Sequence, residues 1–175
     1  RVRHLDHPSV NTLYQAQSID GECYVAMEYI PWGTLRTRIR EQLSLKETLT
    51  ILSQVTEALI YAAERGVAHR DLHPANIFVS PDSKVIVSDF GMDMLRTAYK
   101  NAMKVDLSSS MAPYRAPEDT QGNPLDPYTD IYSLAVLSYE MLTGKLPFNA
   151  ISPSTVLVRQ LGSKPTEPTK LNSLL

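Results

Sequence analysis

The chain has 175 residues, of which 43% are hydrophobic, and a formal net charge of −2 from 17 basic and 19 acidic residues. This length can bury one sizeable hydrophobic core. The sequence has no Lys/Arg run typical of nucleic-acid or anionic-membrane binding, and no apolar stretch long enough to span a bilayer. The single cysteine, Cys23, excludes an internal disulfide and favours a cytoplasmic location.

The first elements in the chain are two strand-like segments. Residues 10–17 and 22–29 are apolar-rich, and Asp20-Gly21 lies in the connection between them. An Asp-Gly pair between such segments is a hairpin signal. The sequence therefore predicts an antiparallel hairpin here.

Two helices are predicted next. A short basic helix runs from Thr34 to about Glu41, and Ser44 with Glu47 forms a capping box that begins a longer helix ending at Gly66. Along the longer helix, apolar residues recur at helical spacing. The residues predicted to face the core are Leu45, Leu49, Leu52, Thr56, Leu59 and Ala63.

The second half of the chain is predicted to contain two short strands and two helices. The strands cover residues 77–79 and 84–87, and residues 89–118 form a polar segment that can be ordered or disordered. A strongly apolar helix over residues 129–143 is predicted to be buried on most sides. A further helix is predicted over residues 153–161.

Three motifs carry the chemistry of this sequence. The segment His-Arg-Asp-Leu-His-Pro-Ala-Asn places Asp71 and Asn76 five positions apart, between a predicted helix and a predicted strand. Asp89-Phe90-Gly91 follows, and Ala116-Pro117-Glu118 comes later. Phosphoryl transfer requires a carboxylate near the attacking hydroxyl and oxygen ligands for magnesium. Each Asp or Asn taken alone is more commonly a turn residue, but the set has the right chemical types.

In this order and spacing the motifs resemble the signature set of the eukaryotic-type (Hanks-type) protein kinases, most closely the bacterial serine/threonine kinases. The resemblance implies a truncated α+β protein-kinase-like fold. Residues 1–29 would be part of the β-rich small lobe, with the end of helix C and strands 4 and 5. Residues 30–175 would be the hinge and most of the mainly helical large lobe, incomplete at its C-terminal end.

The resemblance also implies a protein substrate, ATP and Mg²⁺. Asp71 would be the catalytic base, Asn76 and Asp89 would be magnesium ligands, and His73 would contribute to the catalytic loop. The residues expected to contact the nucleotide are Met27, Glu28, Ile30, Thr34 and Phe78. Nothing in the sequence points to nucleic-acid binding or to a particular oligomeric state.

Regulatory and structural roles follow from the same resemblance. Arg70 would clamp a phosphate on the activation loop, whose candidate acceptors are Thr97, Tyr99, Ser108, Ser109 and Ser110. His69, Phe90 and Leu13 would stack in a spine that aligns the two lobes. Glu118 would pair with an arginine later in the domain, and Asp130 would brace the catalytic loop.

Two residues depart from the family pattern. His73 stands where serine/threonine kinases carry a lysine, two residues after the catalytic Asp, and Met111 stands where they carry a threonine. The alternatives to an active serine/threonine kinase are therefore a pseudokinase that acts as a binding module and a small-molecule kinase of related fold. The sequence also lacks a Gly-x-Gly-x-x-Gly loop and the strand lysine. We therefore expect residues 1–175 to be inactive alone.

Overall fold

The computed structural model describes residues 5–20, 22–92, 111–120 and 128–175. The predicted phosphate acceptors, Thr97, Tyr99, Ser108, Ser109 and Ser110, lie outside these ranges.

The N-terminal hairpin is present. Strands β1 (Leu13–Ile19) and β2 (Glu22–Met27) pair antiparallel, with Leu13 opposite Met27. The first strand begins at Leu13 and not at Val10, because Val10 forms a bridge with Val87. The adjacent Asn11 N–H also donates to the Val87 carbonyl at 2.9 Å. The hairpin is thereby connected to the strand that precedes Asp89.

A second, three-stranded antiparallel sheet lies at the centre of the chain. Its order is β3 (Gly33–Thr34), β4 (Ile77–Val79) and β5 (Val85–Val87). In each strand of the β4–β5 hairpin, the first and last residues are buried and the middle residue is half-buried. Ile77 pairs with Val87, so the residues just before β4 and just after β5 meet at one end of the hairpin.

Helices make up most of the remaining structure. Helix α1 (Leu35–Arg40) and helix α2 (Leu45–Glu64) follow β3, and α2 begins with the predicted capping box between Ser44 and Glu47. Single 3₁₀ turns cover Pro74–Asn76 and Ala112–Tyr114. The later helices are α3 (Pro117–Thr120), α4 (Tyr128–Thr143), α5 (Pro153–Gly162) and α6 (Pro168–Leu171).

The predicted core face of α2 is wrong by one residue. Leu45 and Leu49 are 46% and 58% exposed, and Ala63 is also exposed. Leu52, Thr56 and Leu59 are half-buried, and of these Leu52 and Leu59 pack against the edge of the core. Both sets of residues have helical spacing, so periodicity does not separate them. The face that packs against β5 and α4 consists of Thr48, Ile51, Val55, Ala58 and Ala62.

Helix α4 is also less enclosed than predicted. Its buried residues lie on one side and include Ser133, Val136 and Leu137. Ile131 is 60% exposed, and Tyr128 is exposed as well. None of the helices in the described part of the chain is long and apolar enough to cross a membrane.

The position of the buried face can be tested with two alanine substitutions on α2. Ile51→Ala removes a fully buried side chain and should lower the free energy of unfolding by about 2–5 kcal/mol. Leu49→Ala, at an exposed position of the same helix, should change the free energy of unfolding by about 0.5 kcal/mol or less. Urea unfolding of both variants provides the measurement. Equal losses from the two substitutions would contradict this assignment of the core.

Candidate active site

The segment between α2 and β4 is held in place by one carboxylate on α4. Asp130, which is buried, accepts hydrogen bonds from the backbone N–H of His69 to Oδ2 and of Arg70 to Oδ1, each at 2.7 Å. Arg70 itself has a φ of 68°, a left-handed conformation that is uncommon for residues other than glycine. The two hydrogen bonds from the helix therefore stabilise a strained turn immediately before Asp71.

His69 connects this loop to the segment that follows β5. Its Nδ1 accepts from the Asp71 N–H at 3.2 Å, and its Nε2 lies 2.9 Å from the Ser88 carbonyl. Nδ1 accepts and therefore carries no proton, so Nε2 carries the proton and donates to Ser88. The imidazole also packs against Phe90 with ring centroids 4.6 Å apart. Burial lowers the pKa of His69 despite the nearby Asp130, Asp71 and Asp89 carboxylates, so the neutral ring is favoured.

Asn76 closes the loop that contains Asp71. Its side-chain Nδ2 donates to the Asp71 carbonyl at 2.9 Å, and its backbone carbonyl accepts from the Ser88 N–H at 2.8 Å. Asp89 follows Ser88 directly and has a φ of 67°. The sequence-predicted Asp71, Asn76 and Asp89 therefore lie around one end of the β4–β5 hairpin.

The oxygens of Asn76 and Asp89 suit a magnesium ion. Magnesium is usually held by one or two protein oxygens together with substrate phosphates, and not by a complete protein cage. Among the described residues, no group of three or more His, Cys, Asp or Glu side chains could hold a metal ion. A carboxamide and a carboxylate at one hairpin end fit the phosphate-assisted type of site.

Two basic side chains approach the Asp71 carboxylate. His73 Nε2 lies 3.8 Å from Oδ2, and Arg115 Nη2 lies 4.0 Å from Oδ1. His73 Nδ1 accepts from the Ala75 N–H at 3.2 Å, which fixes the ring as the cap of the 3₁₀ turn. Met111 lines a small cavity together with Asp71, His73 and Arg115. Sequence reasoning missed Arg115. Its only signal in the sequence is that it directly precedes Ala-Pro-Glu, and nothing there connects it to Asp71.

The predicted nucleotide contacts lie along the strands and connections next to this loop. Thr34 on β3 is paired with Phe78 on β4, and both are half-buried. Met27 ends β2 and is half-buried, Glu28 is exposed, and Ile30 is buried before β3.

Two other predicted residues, Leu13 and Glu118, lie on β1 and α3. Leu13 is half-buried at the start of β1. Glu118 is exposed on α3, where its charge adds to burial in raising the pKa of Tyr132 on α4. Tyr114 donates a hydrogen bond to Glu140 on α4, a contact that sequence reasoning also missed. Burial is the main cause of the raised pKa of both groups.

Comparison with known proteins identifies the family. A family model described as the protein kinase domain matches residues 1–169. The chain belongs to the protein kinase domain family. Kinases of this family use ATP and divalent metal ions in general. The α+β fold, with few strands and mostly helical content, agrees with this family.

Several curated protein kinases are similar over nearly the whole chain. A probable serine/threonine-protein kinase of Clostridium perfringens is 35% identical over 98% of the chain and 25% of the relative. The serine/threonine-protein kinase PknF of Mycobacterium tuberculosis is 32% identical over 91% of the chain and 35% of the relative. Sperm motility kinase 3A of Mus musculus is 35% identical over 97% of the chain and 34% of the relative. The chain spans about a quarter to a third of the length of these relatives.

The neutral, buried His69 of this kinase domain predicts a loss of stability in acid. The pKa of His69 is lower in the folded protein than the value of about 6.5 in an unfolded chain, so the unfolded state binds the extra proton first. The contribution is complete above about pH 6.5 and decreases as the pH falls below that value.

The measurement is the urea midpoint between pH 8 and pH 5 for the wild type and His69→Phe. The variant loses two hydrogen bonds and should be less stable at every pH, but its midpoint should fall less steeply below pH 6.5. Parallel curves for the two proteins would show that His69 is not the group responsible.

Proposed function

We propose that the protein containing this domain transfers the γ-phosphate of ATP to serine or threonine hydroxyls of proteins. The observation that carries the proposal is the arrangement of Asp71, Asn76 and Asp89 around one end of the β4–β5 hairpin. Asn76 binds the Asp71 carbonyl at 2.9 Å, and its own backbone binds the residue before Asp89 at 2.8 Å. The similarity to serine/threonine kinases over nearly all of the chain supports the same class of acceptor.

In the proposed reaction, Asp71 is the catalytic base. It orients the substrate hydroxyl and accepts the proton as the hydroxyl oxygen bonds to the γ-phosphorus and the bond to the ADP oxygen breaks. General base catalysis of this kind contributes about 10²–10⁴-fold to a rate. The hydrogen bonds from Asp71 N–H to His69 and from Asn76 to the Asp71 carbonyl keep its backbone fixed during the transfer.

Asn76 and Asp89 would hold the magnesium ion. When bound, magnesium neutralises negative charge on the phosphates of ATP. Asp89 follows β5 with a left-handed backbone, and the buried Asn76 is anchored by the hydrogen bond from its side chain to the Asp71 carbonyl. We propose that Met27, Glu28, Ile30, Thr34 and Phe78 contact the nucleotide.

The regulatory roles are part of the same proposal. Arg70 precedes the proposed base and would bind a phosphate on a residue between 97 and 110.

The proposed cytoplasmic location rests on the single cysteine in the sequence. Residues 1–175 contain no Gly-rich phosphate loop, so we expect the activity to require the complete gene product.

A second candidate is a pseudokinase that binds nucleotide or a protein partner without turnover. It is favoured by two residues that line one cavity with Asp71. His73 occupies the place of the usual lysine, and Met111 that of the usual threonine. Retention of Asp71, Asn76 and Asp89 favours the active enzyme over this alternative.

The test is autophosphorylation of the complete gene product with Mg-ATP, with phosphorylated sites mapped by mass spectrometry. The wild type should carry phosphate on serine or threonine between residues 97 and 110, and Asp71→Asn should carry essentially none because it lacks the base. Asp82→Asn, in the exposed turn between β4 and β5, is the matched control and should behave as the wild type. A folded wild type that binds nucleotide but remains unphosphorylated would favour the pseudokinase.

A further inference from the structure

Arg115 and His73 approach different oxygens of the Asp71 carboxylate. Their nitrogens are 4.0 Å from Oδ1 and 3.8 Å from Oδ2, respectively. The side chains of Asp71 and His73 are 2% exposed and that of Arg115 is 18% exposed, so solvent screens the interaction between Arg115 and the carboxylate weakly. The carboxylate is therefore influenced by both groups.

The two groups differ in charge. The Ala75 N–H donates to Nδ1 of His73, so that nitrogen carries no proton and the ring is neutral in this geometry. The guanidinium of Arg115 is always protonated. Of the two side chains, Arg115 is thus the permanent cation beside Asp71.

Other carboxylates near Asp71 favour a cation at this position. The carboxylates of Asp130, Asp71 and Asp89 are all close enough to act electrostatically on His69. Negative charges brought together in a poorly solvated region are costly unless a cation compensates them. In serine/threonine kinases the lysine at the position of His73 provides positive charge, and this chain has none there.

The position of Arg115 is set by its backbone. Its N–H donates to the Ala112 carbonyl at 3.3 Å within the 3₁₀ turn, and its carbonyl accepts from Gln160 on α5 at 3.1 Å. The preceding Tyr114 carbonyl accepts from Ser133 on α4 at 2.8 Å. Contacts to two helices therefore bring the guanidinium to Asp71, and the backbone contacts do not depend on the ion pair itself.

We propose that Arg115 is a positioning residue for Asp71, which provides from the segment before Ala-Pro-Glu the positive charge that the usual lysine provides from the catalytic loop. Arg115 holds the Asp71 carboxylate in its orientation through this ion pair. The inference rests on the proposed function, because it assigns Arg115 a part in the same transfer.

The experiment measures kcat and the KM for ATP in the complete gene product for Arg115→Gln, Arg115→Lys and the double variant Arg115→Gln/His73→Lys. Arg115→Gln should lower kcat by about tenfold or more with the KM for ATP within about twofold, because the base and not the nucleotide site is affected. Arg115→Lys should retain most of the activity. The kcat of the double variant should be at least about threefold higher than that of Arg115→Gln, since it returns a cation near the other oxygen of Asp71.

The controls separate the possible failures. Arg65→Gln, in an exposed position after α2, should leave kcat unchanged. A wild type without transfer would overturn the proposed function and this inference together. An active wild type with full kcat in Arg115→Gln would overturn the inference alone. So would a double variant no better than Arg115→Gln, or an Arg115→Gln protein that no longer melts cooperatively, since either would make Arg115 purely structural.

Discussion

The proposed catalytic loop, residues 69–76, depends on the pair of hydrogen bonds between the Asp130 carboxylate and the backbone N–H groups of His69 and Arg70. Both are 2.7 Å long and join residues about 60 positions apart in the chain. A charged acceptor makes such hydrogen bonds roughly twice as strong as those between neutral groups. Because α4 packs on α2, which directly precedes the loop, one carboxylate fixes the loop relative to the helices on which it is built.

The other hydrogen bonds of the site continue from this pair. The strained backbone of Arg70 turns the chain so that Asp71 can donate to His69, and His69 in turn donates to Ser88 beyond β5. Asn76 makes a second connection to Ser88. The proposed base and the two proposed magnesium ligands thus share one hydrogen-bond network, which would preorganise the proposed phosphoryl transfer.

Local patterns in the sequence predicted the hairpin, the capping box of α2 and the family itself, because turn and cap chemistry act over a few residues. The buried face of α2 was not predictable by periodicity, since Leu49 and Ile51 both belong to stripes of helical spacing. What decides between them is the tertiary packing of β5 and α4. Arg115 was missed for the same reason: its approach to Asp71 arises from a contact across 44 residues of sequence.

The most direct test of this account is single-turnover transfer of the γ-phosphate by the complete gene product, comparing the wild type with Asp130→Asn. Asparagine keeps the size of the side chain but replaces one acceptor oxygen by an amino group, so one of the two loop hydrogen bonds is lost. We expect Asp130→Asn to transfer phosphate about tenfold or more slowly than the wild type, with nucleotide affinity preserved. Equal rates in the two folded proteins would contradict the claim that Asp130 holds the catalytic loop in its working geometry.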